Sequence, residues 1–377
     1  MRPVAITGVG MTAFATHLGR SLTDLGAEAV IAALIDADLR REDIGAVYVG
    51  HMTQGELCGQ RVLKELDFPP LPVTNIENAC ASGAYALQAA WLAVVAGAVD
   101  SALVVGIGKV VLDKGKSAAI RLSEPPLDHA MGQTVVGAYA AIGQHHMLEY
   151  GTKPEHFARI SEKNHANGVD NPSAMFRKAY SLSEIMQSRM IADPVTLLQC
   201  CEQASGAAAL VISQPKRMQG RSPICIRACE LAAEMNRGRP EPDMAFAATR
   251  AAVRRAYERA GLGPGDLDVV ELHDAVSVAE LVAYEALGIC PRGEGARLVD
   301  EGATARGGRI PVNPSGGLIA RGHPAAATGI AQVIELVLQL RGAAGARQVP
   351  GATVALAQCH GHLDPGTGAA AVTILSR

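Results

Sequence analysis

Aromatic side chains are scarce in this chain: one Trp, seven Tyr and five Phe among 377 residues. With 40 glycines and abundant alanine, close backbone packing between small residues is the expected core. Charge of one sign is also lacking. Thirty-four Lys+Arg against 37 Asp+Glu leaves −3, without the cationic excess that phosphate neutralisation needs, so nucleic acid is excluded as an expected partner. Charged residues make up only 19% against 49% hydrophobic, which excludes a disordered chain. Eight cysteines lie at 58, 80, 200, 201, 225, 229, 290 and 359. No pair has the C-x-x-C spacing of a zinc ribbon, and so few in so long a chain do not suggest a disulfide scaffold. The start, MRPVAITGVGMTAF, lacks the long apolar region of a signal peptide. The greasiest stretch, Ala84 to Val99, is broken by Gln88 and ends at Asp100, short of the roughly 18 residues of a membrane span. These features set the expectation of a soluble, cytoplasmic protein with no membrane contact.

Two segments resemble each other. Residues 37–50 (ADLRREDIGAVYVG) align with residues 260–273 (AGLGPGDLDVVELH), each after a helical stretch and each ending as a strand. A small-residue helix and a further strand follow in both halves: 83–96 then 102–106, and 328–340 then 353–357. A helix–strand pattern met twice implies two α/β halves from an internal duplication, although common helix–turn–strand units can match by coincidence. Between them, residues 107–190 break the rhythm with polar and histidine-rich sequence and read as a helical and loop excursion, a frequent source of binding walls. Residues 216–222 read as a hinge, dividing the chain into halves 1–215 and 216–377.

Four segments carry groups able to do chemistry. In Asn75-Ile-Glu-Asn-Ala-Cys80-Ala-Ser-Gly83, a cysteine stands where an apolar helix begins. Unpaired N–H groups and the helix dipole there favour thiolate, while a packed core cysteine fits the same description. In the glycine-rich stretch 313–329, His323 is flanked by Gly322 and Pro324. It could take a proton from a thiol or donate to an oxyanion, or cap a helix. Cys359-His360-Gly361-His362 follows an apolar strand; a second thiol could act as acid or base, and the cluster lacks the spaced partners of a metal site. In Glu271-Leu-His273-Asp-Ala-Val276 a histidine ends the strand of the second repeat, where α/β proteins often place chemistry.

In this order the four segments resemble the active-site loops of the thiolase family. Cys80-Ala-Ser82 matches its nucleophile loop, Gly322-His-Pro324 its Gly-His-Pro loop, and Cys359-His-Gly361 its terminal Cys-x-Gly loop. His273-Asp-Ala-Val276 stands where ordinary thiolases have Asn-Glu-Ala-Phe, and the His-Asp start is similar to the sterol-carrier-protein type. Lys163-Asn-His165, Asn171-Pro172 and residues 193–201 also resemble that subgroup. The resemblance spans nearly the whole chain. It implies an α/β thiolase fold, with two duplicated halves in a five-layered α-β-α-β-α arrangement. It also implies an acyltransferase that cleaves a β-ketoacyl-CoA, or runs the reverse Claisen condensation, through an acyl group on Cys80.

By the same resemblance, His323 activates Cys80, Cys359 shuttles a proton at the carbon α to the thioester, and His273 joins His323 at one oxyanion. Backbone N–H groups of Cys80 and Gly361 serve the other. Ser315, Gly316, Val276, His362 and Met147 are the expected substrate contacts. Coenzyme A is the co-substrate, with no metal and no covalently bound cofactor. The implied partners are a second copy of the chain and a small OB-fold, zinc-ribbon protein. A ring-bearing acyl chain such as that of benzoylsuccinyl-CoA fits the subgroup. Two other readings stay open: a thiolase-like retro-aldolase on β-hydroxyacyl-CoA, and a non-catalytic scaffolding subunit. Three positions depart from the family pattern: Val276 in place of Phe, Ser205 where Asp is frequent, and His362-Leu-Asp-Pro365 where glycines continue.

Overall fold

The computed structural model describes residues 2–110, 131–215, 222–235, 246–364 and 367–377, with every side chain among them except those at 235, 362–364 and 367. The repeat seen in the sequence is visible in the backbone. Helix α1 (Leu22–Ala37) opens with a reciprocal cap between Ser21 and Asp24 and ends with Asp38 in the left-handed region, satisfying amides and carbonyls that a helix leaves unpaired. One 3-10 turn (Arg41–Asp43) then leads into a strand at Ala46–His51. The second copy runs through a helix at Ala247–Ala260, a 3-10 turn at Pro264–Asp266 and a strand at Val269–Glu271.

The strands of the first half are β1 (Ala5–Met11), β2 (Ala46–His51), β3 (Val73–Ile76), β4 (Ser101–Gly108), the short ribbon β5 (Met190–Ala192) and β6 (Val195–Thr196), and β7 (Gly206–Ser213). Those of the second are β8 (Ile224–Met235), β9 (Val269–Glu271), β10 (Val354–Asp364) and β11 (Thr367–Ser376). The large sheet has the order β3-β2-β4-β7-β1-β8-β11-β10-β9. Its first five strands and last four mirror one another about the β1–β8 junction. In each half the pairing runs parallel, then antiparallel twice: β2 with β4, β4 with β7, β7 with β1, against β9 with β10, β10 with β11, β11 with β8. A parallel bridge from Val270 to Val312 stands where the first half has β3. Among the described residues, β1 and β8 pair across the junction at Ala5 with Cys225 and Ile6 with Ile224.

Four apolar clusters lie among the layers of the described residues. Helices α1 and α2 (Cys58–Lys64) cover the outer face of the first half through Leu25, Val30, Val62 and Leu103. Helix α3 (Ser82–Ala96) is one side of the central layer. The excursion supplies α4 (Val135–Tyr150), α5 (Pro154–Val169) and α6 (Leu182–Gln187), while its residues 111–130, and the hinge at 216–221, lie outside the described residues. Helices α7 (Ala247–Ala260) and α8 (Ser277–Ala286) cover the outer face of the second half. After α9 (Gly295–Asp300) and α10 (Gly317–Arg321), α11 (Thr328–Arg341) completes the central layer against α3. There Leu87, Trp91, Ile330 and Val337 meet strand residues of both halves. Each fully buried aliphatic side chain contributes about 1.5–3 kcal/mol. Counted from Ala79, 18 residues do reach the length and hydropathy of a membrane span. Packing decides their place, since Leu87, Ala90 and Val94 are buried between the sheets.

Candidate active site

Strand β3 delivers the chain to a tight turn at Asn78–Ser82. Ala79 takes φ +48°, a conformation that costs a non-glycine residue energy and is held by its surroundings. The Ser82 hydroxyl closes the turn, donating to the Ala79 carbonyl (2.5 Å) and accepting from the Asn78 amide (2.8 Å). Cys80 is thereby presented just before α3. Its Sγ lies 3.2 Å from His323 Nε2. On the far side of that ring, Nδ1 lies 2.7 Å from Thr328 Oγ1, whose own proton goes to the Pro324 carbonyl (3.1 Å). The threonine oxygen therefore accepts, Nδ1 carries the hydrogen, and the Nε2 lone pair faces the thiol.

A second pair stands beside the first. Cys359 Sγ lies 3.7 Å from His273 Nδ1 and 3.5 Å from the Cys80 carbonyl oxygen. The two imidazoles meet edge to face with centroids 5.1 Å apart. Ligating atoms of Cys80, His273 and His323 all lie within 4.8 Å of one another. Gly361 passes so close to the Asn78–Ser82 turn that a Cβ there would sit 2.4 Å from the Asn78 carbonyl oxygen and 3.2 Å from the Cys80 amide; only glycine fits. Burial dominates the electrostatics. It pushes the Cys80 thiol up to about 12 and the Cys359 thiol higher still, and it pulls His323 down to about 4, with Arg321 adding to the last shift. Cys80 stands just before the helix, and loss of water is the largest influence on its thiol.

The thiolase N-terminal domain matches residues 4–180, and the thiolase C-terminal-like domain matches residues 233–377. The chain belongs to the thiolase family. It is 40% identical to rat "Sterol carrier protein 2", over 99% of this chain and 72% of that one. It is 39% identical to "Acetyl-CoA acetyltransferase" of Methanothermobacter thermautotrophicus over the full length of both. It is 35% identical to "Benzoylsuccinyl-CoA thiolase subunit BbsB" of Thauera aromatica, over 90% of this chain and 89% of that one. Among solved structures, "Ltp2-ChsH2(DUF35) aldolase" superposes with a TM-score of 0.81 at 25% identity, covering 99% of this chain and 97% of the other. This thiolase is accordingly an acyltransferase whose substrates are acyl-CoA and coenzyme A.

The remaining residues singled out from the sequence separate into wall and scaffold. In this thiolase Ser315 is fully buried, its amide and hydroxyl both donated to Glu271 (3.0 and 2.8 Å), and Arg321 donates to the same hydroxyl. Burial pushes Glu271 up to about 7, against the pull of Arg321. Gly316 turns at φ +96° against Gly168 of α5. Val276 caps α8 and is buried in the core of the second half, against which the half-buried Met147 of α4 also packs. The His362 side chain lies outside the described residues. Ser205 ties loops together, donating to the Thr16 carbonyl (2.8 Å) and accepting from the Val110 amide (3.1 Å).

Sequence reasoning missed a buried polar network behind His273. Asp274 accepts from the Leu318 amide (2.6 Å), the Ile319 amide (3.3 Å) and Asn164 Nδ2 (2.8 Å). Glu280 in turn binds Lys163 (2.5 Å), Asn164 (2.7 Å) and Asn313 (2.7 Å). Lys163 and Asn164 were visible as a motif, but nothing in the sequence placed them against residue 274. Residues 200–204 stitch the two histidine loops together, through Cys201 N to Ala275 O (2.9 Å) and His323 N to Glu202 O (2.9 Å).

Proposed function

We propose that this thiolase cleaves a β-ketoacyl-CoA with coenzyme A, or runs the reverse condensation, through an acyl group carried on Cys80. One observation carries the reading: the Cys80 sulfur lies 3.2 Å from the unprotonated nitrogen of His323, with a second thiol, Cys359, against the Cys80 carbonyl. In the cleavage direction Cys80 sulfur adds to the β-carbonyl carbon as its proton passes to His323 Nε2. The Cα–Cβ bond then breaks, and its electron pair goes to the α-carbon as an enolate. Cys359 donates its proton to that carbon, leaving a thiolate beside His273. This thiolate takes the proton of the incoming coenzyme A thiol, whose sulfur displaces Cys80. Cys80 recovers its proton from His323, and both thiols are restored.

Splitting one hard step into acyl transfer and carbanion protonation is the advantage of two thiols. Amides of Cys80 and Gly361 are the proposed donors to the carbonyl oxygen as charge develops. His273, besides facing Cys359, is the proposed partner of His323 at the enolate oxygen. A ring-bearing chain such as benzoylsuccinyl-CoA is the proposed acyl class, supported by the BbsB relative and by Val276 where a bulkier Phe is usual. We further infer a cytoplasmic homodimer. The short β3 at the sheet edge, with one side of its backbone ladder unpaired within the sheet, supports a second copy docking there. A small zinc-ribbon subunit is the proposed additional partner, supported by the two-name assembly in the aldolase neighbour.

That neighbour also supports a second reading, retro-aldol cleavage of a β-hydroxyacyl-CoA, which needs no acyl-enzyme. Intact-mass analysis separates the two. Incubation with an acyl-CoA donor should add one acyl mass to the wild type and to Cys359→Ala, and none to Cys80→Ser. Turnover with no adduct on either Cys80-containing protein would favour the aldolase.

A further inference from the structure

We propose that the active site is also a zinc-binding site in which Cys80, His273 and His323 ligate one Zn2+, in competition with the acyl group for the Cys80 sulfur. Tetrahedral zinc takes sulfur at about 2.3 Å and imidazole nitrogen at about 2.0–2.1 Å, which places neighbouring sulfur and nitrogen ligands about 3.6 Å apart. Cys80 Sγ and His323 Nε2 already stand 3.2 Å apart, and the ligating atom of His273 lies within 4.8 Å of both. Closing that last gap takes a shift of about 1 Å, within the freedom of an imidazole rotor. One thiolate with two imidazoles suits zinc and not magnesium or calcium, which take oxygen.

The surroundings favour the metal further. His323 already has its Nδ1–H directed at Thr328 Oγ1, the outer hydrogen bond that orients a metal-bound histidine through its other nitrogen. Binding takes Cys80 as thiolate, the proton leaving to solvent, so the bound cluster carries one net positive charge. The nearby Arg321 guanidinium is itself paired with the buried Glu271 carboxyl. Three protein ligands leave a fourth position for water or for the sulfur of coenzyme A. The metal and the acyl group compete for one sulfur, which is why the two states exclude each other. The inference holds whichever carbon–carbon chemistry the site performs.

The test uses full-length protein in a buffer free of thiols, with cobalt(II) as the spectroscopic probe and zinc as competitor. One cobalt per chain should produce a thiolate charge-transfer band with tetrahedral visible bands, and one equivalent of zinc should abolish both. Alkylating Cys80 in the wild-type protein with iodoacetamide should remove the band without any question of folding. His273→Ala should weaken zinc binding more than about a hundredfold, beyond the loss typical of outer-sphere partners. A band that survives Cys80 alkylation, cobalt bound without a thiolate band, or zinc affinity unchanged in folded His273→Ala would each overturn the proposal. None of these readings depends on whether Cys80 forms an acyl adduct.

Discussion

A thiol raised to about 12 beside an imidazole lowered to about 4 keeps its proton on sulfur at neutral pH. On the proposed mechanism Cys80 and His323 rest as an uncharged pair, and the proton moves as the sulfur attacks. Because the reactive form is thiolate, alkylation of Cys80 by iodoacetamide should accelerate about tenfold per pH unit from about pH 7 to about pH 10, without levelling. A plateau already reached near neutrality would show a standing thiolate–imidazolium pair instead. Gly361 offers a second expectation. A methyl group there meets the Asn78 carbonyl at 2.4 Å, so Gly361→Ala should push the terminal loop away from the nucleophile turn. Turnover should fall by about 10²–10³, the scale of one lost oxyanion donor, with thermal stability little changed by comparison; wild-type turnover would remove Gly361 from the mechanism. Cys80, His323 and Cys359 were legible because each sits in a short glycine-rich motif. The protonation state was not, because it depends on water excluded by residues far apart in the chain. Nor was the pairing of His273 with Cys359, which the end of β9 and the middle of β10 create.

Helix α10 is only five residues long, yet it sets the distance between the His273 and His323 loops. Its Leu318 and Ile319 amides end on the Asp274 carboxyl, and Gly317 enters it at φ +60° with its Cα facing that carboxyl so closely that a Cβ would lie 2.2 Å from Oδ2. Gly317→Ala should thus cost at least about 1–2 kcal/mol from the left-handed backbone alone, and the collision adds to it. Calorimetry should show a lowered melting temperature together with a fall in kcat larger than any change in KM for acyl-CoA. A variant as stable and active as the wild type would mean that Asp274 does not pin α10. At this scale the sequence was informative where it repeats: α1 with β2, and α7 with β9, follow the aligned segments through matching 3-10 turns. It was silent on α5, whose Asn164 reaches Asp274 across 110 positions of sequence; no local pattern encodes a contact of that span.

The two halves share one large sheet and one central helical layer. Among the described residues β1 pairs with β8 at two positions, with one further bond from the Ile226 amide to the Val4 carbonyl, so the central layer carries much of the join. Helix α11 is buried on nearly every side, and its Leu336 and Val337 share one core with Leu87 and Trp91 of α3. At its end Arg341 reaches into the first half, binding Asp36 of α1 at 2.6 Å and the Thr7 carbonyl of β1 at 3.2 Å. The proposed catalytic pairs straddle the same seam, with Cys80 from one half and His323, His273 and Cys359 from the other. Urea should accordingly unfold the protein in a single transition, far-ultraviolet circular dichroism and acylation of Cys80 disappearing together. Arg341→Ala should move that transition to lower urea by about 1.5–3 kcal/mol, the usual range for hydrogen bonds to a charged group, and both signals should shift equally. If acylation were lost well before helical signal in either protein, the halves would be separately stable domains, and the site would be an interface between them instead of a product of one shared core.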